Sequence, residues 1–223
     1  MQNIISDNGD TVTIPLPQPL GLRIAGNIIS VIFHPLFIPL YVTAFLLFIH
    51  PVTFSGLPQL LKVRVLASVA VNLTLLPAFT VFILWRLKFA DNIYLRTQKE
   101  RLIPYAAVMF FSFWCWYVFR TLSQTPPEFV DFLLGTFIAV IAAWMANIYY
   151  KVSMHGLAVG GMLCFIVMLT LNAQGGSGLY VAVALLISGL VCSARLIVSD
   201  HRPFEVYSGL ALGIFSQYLA AVL

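Results

Sequence analysis

Three short stretches gather the reactive side chains of an otherwise apolar chain. They are 96–104, Arg-Thr-Gln-Lys-Glu-Arg-Leu-Ile-Pro; 151–156, Lys-Val-Ser-Met-His-Gly; and 193–205, Ser-Ala-Arg-Leu-Ile-Val-Ser-Asp-His-Arg-Pro-Phe-Glu. Ionisable groups at a membrane edge are costly unless paired or solvated, so clusters of them are functional candidates. In the third stretch His201 and Glu205 stand four residues apart. If Pro203 opens a helix, both side chains share one face of its first turn. A carboxylate so placed accepts a hydrogen bond from the imidazole, fixes its tautomer and raises its basicity. Arg195 lies six residues before His201, and its fork of donors suits phosphate oxygens.

The second stretch adds a hydroxyl, Ser153, and another imidazole, His155; the first adds the cations Arg96, Lys99 and Arg101. Two histidines and one carboxylate could in principle hold a metal, but the surrounding cations oppose a divalent ion and favour an anion. Phosphate is the expected ligand, with no metal and no cofactor. Plainer roles stand beside these. Ser153 also suits a helix N-cap, and His201 with Glu205 a capping pair. His155 also suits a solvated loop, and the 96–101 cations a headgroup-binding loop that sets topology.

These stretches resemble the motifs of the type 2 phosphatidic acid phosphatases, K-x6-R-P, P-S-G-H and S-R-x5-H-x3-D. Arg195, His201 and Glu205 keep the spacing of the third motif, with Glu for Asp and Ala194 for Ser. Val152-Ser153-Met154-His155 keeps Ser and His of the second. Arg96 and Pro104 keep the outer spacing of the first, with Ile103 where Arg is expected. The resemblance covers about 96–209. It implies a metal-independent phosphatase for a lipid phosphate or diphosphate. By that pattern His201 is the nucleophile, Glu205 orients it, and His155 protonates the leaving oxygen. Arg195, Ser153 and one or more of Arg96, Lys99 and Arg101 bind the phosphoryl oxygens. The alternative is a non-catalytic relative that binds lipid headgroups or serves transport or assembly.

The elements that position these residues are membrane spans. Of 223 residues, 61% are hydrophobic and 9% charged, against about 25% charged in soluble domains. Mean hydropathy is +0.95. The fold class expected is all-α, a polytopic transmembrane helical bundle with about seven spans and short loops. Runs of about 20 apolar residues place spans near 27–49, 64–86, 103–122, 129–150, 157–173, 179–199 and 205–223. Residues 1–26 read as a polar N-terminal segment, without the basic and apolar regions of a cleavable signal. Residues 27–223 read as one transmembrane domain. Pro35 and Pro39 predict a kink in the first span. Asn72 and Thr74, beside Pro77, are the main mid-span polar residues, expected to be satisfied locally.

Seven spans put all three clusters on one face, with every Lys and Arg except Lys62, Arg64 and Arg120. Positive-inside counting makes that face cytoplasmic; the resemblance makes it extracytoplasmic, in a bacterial inner membrane. Lipid phosphate and membrane lipids are the expected partners. A net charge of +4, dispersed among apolar runs, excludes a nucleic-acid groove. Cys115, Cys164 and Cys192 read as small buried residues. His34 and His50 read as interfacial, as do Trp85, Trp114, Trp116, Tyr149 and Tyr150. Gly156/Gly160 and Gly209/Gly213 are GxxxG pairs, expected to allow close packing around the motifs.

Overall fold

The structure, a computed structural model, describes residues 2–5, 11–14, 18–89, 102–172, 177–198 and 202–223. It opens on a two-stranded antiparallel hairpin, β1 (Gln2–Ile5) and β2 (Thr11–Ile14), with Gln2 opposite Ile14. The remaining elements are helical: α1 (Leu20–Ile32), α2 (Ile38–Phe48), α3 (Gln59–Val69), a π-helical turn (Ala70–Leu75), α4 (Leu76–Arg86), α5 (Leu102–Thr121), α6 (Pro127–Tyr149), α7 (Met154–Asn172), α8 (Gly178–Val198) and α9 (Pro203–Val222).

Among the described residues, five helices are long and apolar enough to cross a membrane: the continuous 59–86 rod and α5 to α8. They mark an integral membrane protein. The seven expected runs map onto helices, with two departures. The first run is not one kinked helix. It divides into α1 and α2 around a turn at 33–37, and α1 begins at Leu20, inside the segment read as polar. Pro35 supplies no N–H and pushes residue 34 out of helical geometry, while Pro39 sits comfortably in the first turn of α2. The last run, α9, has 20 residues but is less apolar than the five, because Glu205, Ser208, Ser216 and Gln217 interrupt it. Ser216 and Gln217 are buried, so its polar groups turn inward.

Proline also shapes the 59–86 rod. Pro77 offers no N–H to the carbonyl one turn back and crowds it. The chain absorbs this in the wider π turn at 70–75. Asn72 is satisfied locally, its Nδ2 donating to the Ser68 carbonyl at 2.9 Å. Thr74 is not. Its hydroxyl donates to the Leu36 carbonyl at 2.7 Å, across to the break between α1 and α2. One hydroxyl thus satisfies irregular backbone that lipid could not solvate.

Helix α7 is central and packs on α9, α8, α6 and α2. The α7–α9 seam is made of glycine. A Cβ on Gly156 would sit 2.6 Å from the Val206 carbonyl oxygen, and one on Gly209 would sit 2.5 Å from that of Ser153. Added Cβ atoms on Gly160 and Gly213 would run into the Leu210 and Leu157 carbonyls. Both GxxxG pairs therefore serve packing within the chain. Beside them lies a core that includes Leu46, Leu47, Phe129, Leu133, Val159 and Val191.

Candidate functional site

Tight α7–α9 packing brings two motif stretches together at one end of the bundle. The Ser153 N–H donates to the Glu205 carbonyl at 3.0 Å. Ser153 is fully buried, and its Oγ accepts the Gly156 N–H at 3.3 Å, making it the N-cap of α7. The first turn of α9 is fixed similarly. Pro203 opens the helix, as its fixed φ favours, and the Glu205 carboxylate accepts the Arg202 N–H at 3.3 Å. The plainer serine-cap role is therefore present, and Glu205 caps α9 through Arg202; its pairing with His201 lies outside the described residues. His201, Arg96, Lys99 and Arg101 lie outside the described residues.

His155 follows in the first turn of α7, and its Nε2 lies 3.0 Å from the Ser30 carbonyl of α1. A carbonyl only accepts, so this nitrogen carries the ring proton. Arg195, in the last turn of α8, donates from Nη1 to the Ser30 hydroxyl at 3.5 Å. Ser30 thus engages both predicted site residues, one through its main chain and one through its side chain. It can do so because α1 lies close against α8. A Cβ on Gly26 would come within 2.8 Å of Val198 Cγ2 and 3.3 Å of the Ala194 carbonyl oxygen.

The α1–α2 turn adds a residue that the sequence reading set aside. The exposed ring of His34 meets the His155 ring edge to face, with centroids 5.6 Å apart. Its Nδ1 accepts the Leu36 N–H at 3.4 Å. His34 therefore belongs to the polar cluster and not merely to the interface. Ser30 and His34 carry no motif; the one sequence signal was the pair of prolines that breaks the helix behind them. His50 also departs from its interfacial reading. It is 5% exposed, packs against Phe45 and Tyr180, and its Nδ1 lies 2.8 Å from the Thr53 hydroxyl. Trp116 is half-buried under the Arg120 guanidinium, 5.1 Å from its ring centroid, whereas Trp85, Trp114 and Tyr149 are exposed.

Two imidazoles and a guanidinium from separate elements form a donor-rich surface, which suits an anion with several oxygens. No group of three His, Cys, Asp or Glu side chains is placed to hold a metal among the described residues. Cys115 and Cys192 are buried and Cys164 half-buried, all as free thiols. A cavity of about 90 Å³ lies among α2, α6, α7 and α9. Pro35 and Met154, sequence neighbours of His34 and His155, line it together with Leu157, Phe132 and Gln217. Its wall is largely apolar.

No protein-family model, curated protein or solved structure matches this chain.

Proposed function

We propose that this protein is a metal-independent membrane phosphatase acting on a lipid phosphate or diphosphate, as the motif resemblance implies. One observation supports the reading most. The Ser153–Glu205 backbone contact joins the starts of α7 and α9, so the second and third motif stretches share one end of the bundle. In the proposed reaction a His201 ring nitrogen forms a bond to phosphorus as the ester or anhydride P–O bond breaks. His155, in its imidazolium form, gives one proton to the leaving oxygen and returns to the neutral ring. Arg195 balances charge on the transferred group, with Arg96, Lys99 and Arg101 as further phosphate ligands. Water then cleaves the phosphohistidine P–N bond, and His155 accepts its proton. Ser153, as the cap of α7, acts chiefly by fixing the helix start that carries His155. The apolar cavity, lined in part by sequence neighbours of His34 and His155, suits a hydrocarbon chain, which favours a lipid over a soluble phosphate. The seven-span topology belongs to this proposal: α9 makes a sixth crossing, and α1 with α2 a discontinuous seventh. So do the bacterial inner membrane and an extracytoplasmic site.

The test is phosphate release by the full chain in detergent with EDTA, from phosphatidate, phosphatidylglycerophosphate and polyprenyl diphosphate. Release from one of them, abolished in His201→Ala, supports the reading. No release from any, or release unchanged in that variant, rejects it.

A second reading is a binding or transport protein. It is favoured by the broken α1–α2 pair lying against the π turn, since transporters commonly build sites on discontinuous helices. Trapping a phosphorylated His201 excludes a binding-only role.

A further inference from the structure

The resemblance assigns nothing to the chain before residue 96, yet two residues of that region stand in the candidate site. We propose that His34 is a phosphate-binding residue, a third donor beside His155 and Arg195, presented by the turn between α1 and α2. The inference rests on the anion site proposed above and extends its ligand set.

The ring's chemistry follows from its partners. Nδ1 accepts the Leu36 N–H, so the neutral ring carries its proton on Nε2. That N–H has no hydrogen-bond partner among the described residues, and the ring is exposed. The ring lies against His155, which shares Ser30 with the Arg195 guanidinium. An N–H donor in a cluster that also holds a guanidinium suits a ligand with several anionic oxygens.

The turn that carries it is built for position. Pro35 excludes a helix there, and the next carbonyl, that of Leu36, is held at 2.7 Å by Thr74 from the π turn. Leu36 is also the residue whose N–H fixes the His34 tautomer. Thr74 is therefore a positioning residue for His34. Pro35 and Leu36 also line the cavity. The same turn would hold the phosphate by one residue and adjoin the start of the chain by the next two.

The test uses the full-length protein in detergent, with orthovanadate as probe, together with KM and kcat on phosphatidate. His34→Phe keeps a ring beside His155 and removes the donor. It is expected to weaken orthovanadate binding about tenfold, the loss of one charge-assisted hydrogen bond. KM should rise with little change in kcat. His34→Gln, whose amide can donate, should recover most of the affinity. Thr74→Val should weaken binding by a smaller factor, whereas Thr74→Ser should not. Wild-type affinity in His34→Phe overturns the proposal, and so does failure of the unmodified chain to bind orthovanadate. Binding that depends on His34 without any turnover supports this inference while removing the phosphatase reading.

Discussion

The Ser153 N–H donates to the Glu205 carbonyl across 3.0 Å, joining the first residues of α7 to the first turn of α9. The contact is between main chains, so it depends on how closely the two helices approach, and glycine sets that approach. Added side chains on this seam should therefore damage the site without touching any polar group. Gly209→Val places a Cβ 2.5 Å from the Ser153 carbonyl oxygen, well inside van der Waals contact. Overpacking of this kind costs about 1–3 kcal/mol. A lower thermal midpoint in detergent and loss of phosphate release are expected. Gly189→Ala is the control, because its Cβ would meet nothing within 4 Å. It should leave release unchanged and raise stability by about 0.5–1 kcal/mol.

Arg195 should not tolerate replacement by lysine. Its Nη1 reaches the Ser30 hydroxyl, and in the proposed reaction its planar guanidinium balances charge on the phosphoryl group. Arg195→Lys keeps the charge and loses the fork. A fall of about 10²-fold in kcat/KM is expected, within the range seen when one oxyanion donor is removed. Ser30→Ala should do far less. The contact with His155 uses the Ser30 carbonyl, which that substitution retains. Equal losses in the two variants would show that Ser30 is itself a ligand.

Thr74 should matter more than Asn72, although both are polar residues of one π turn. Asn72 satisfies a carbonyl of its own helix, four residues away. Thr74 satisfies a carbonyl 38 residues away, in a turn with no helical partner. Thr74→Val leaves the Leu36 carbonyl unpaired, at about 1–3 kcal/mol, and Asn72→Ala should cost less. Thermal unfolding of the two variants in one detergent measures the difference.

His50 should make stability depend on pH. Burial holds its imidazole below the ordinary value of 6.5, and the nearby Glu128 carboxylate pulls partly the other way. Nδ1 accepts the Thr53 N–H at 3.3 Å, and Nε2 is buried without a partner among the described residues. Protonation would displace the Thr53 N–H. Because the folded value lies below the unfolded one, the unfolded chain binds more protons as pH falls below 6.5. His50's contribution is therefore full above that pH and declines below it. Thermal midpoints at pH 7.5 and about 5.5 should differ in the unmodified protein and differ less in His50→Gln.

Local physics explains what was legible. The π turn and the α1–α2 break both follow proline, yet the prolines could suggest only a kink. Whether a helix bends or stops depends on whether a partner accepts the freed backbone. Here Thr74 does so for Leu36, through a contact that no periodicity records. Ser153 and Glu205 were legible as helix-start residues because capping is local. Their mutual contact was not.

The sequence by itself determined the lipid environment, the helical class and the polar clusters at helix ends. Each follows from hydropathy or spacing within about 20 residues, the length of one span. Tertiary structure alone decided that α1 delivers Ser30 to His155 and Arg195, over separations of 125 and 165 residues. It also decided that His34 faces His155. These contacts arise because Gly26 lets α1 lie against α8, and because two prolines turn the chain before α2 begins. Such proximity is a property of packed surfaces, and packing joins positions that the chain keeps far apart.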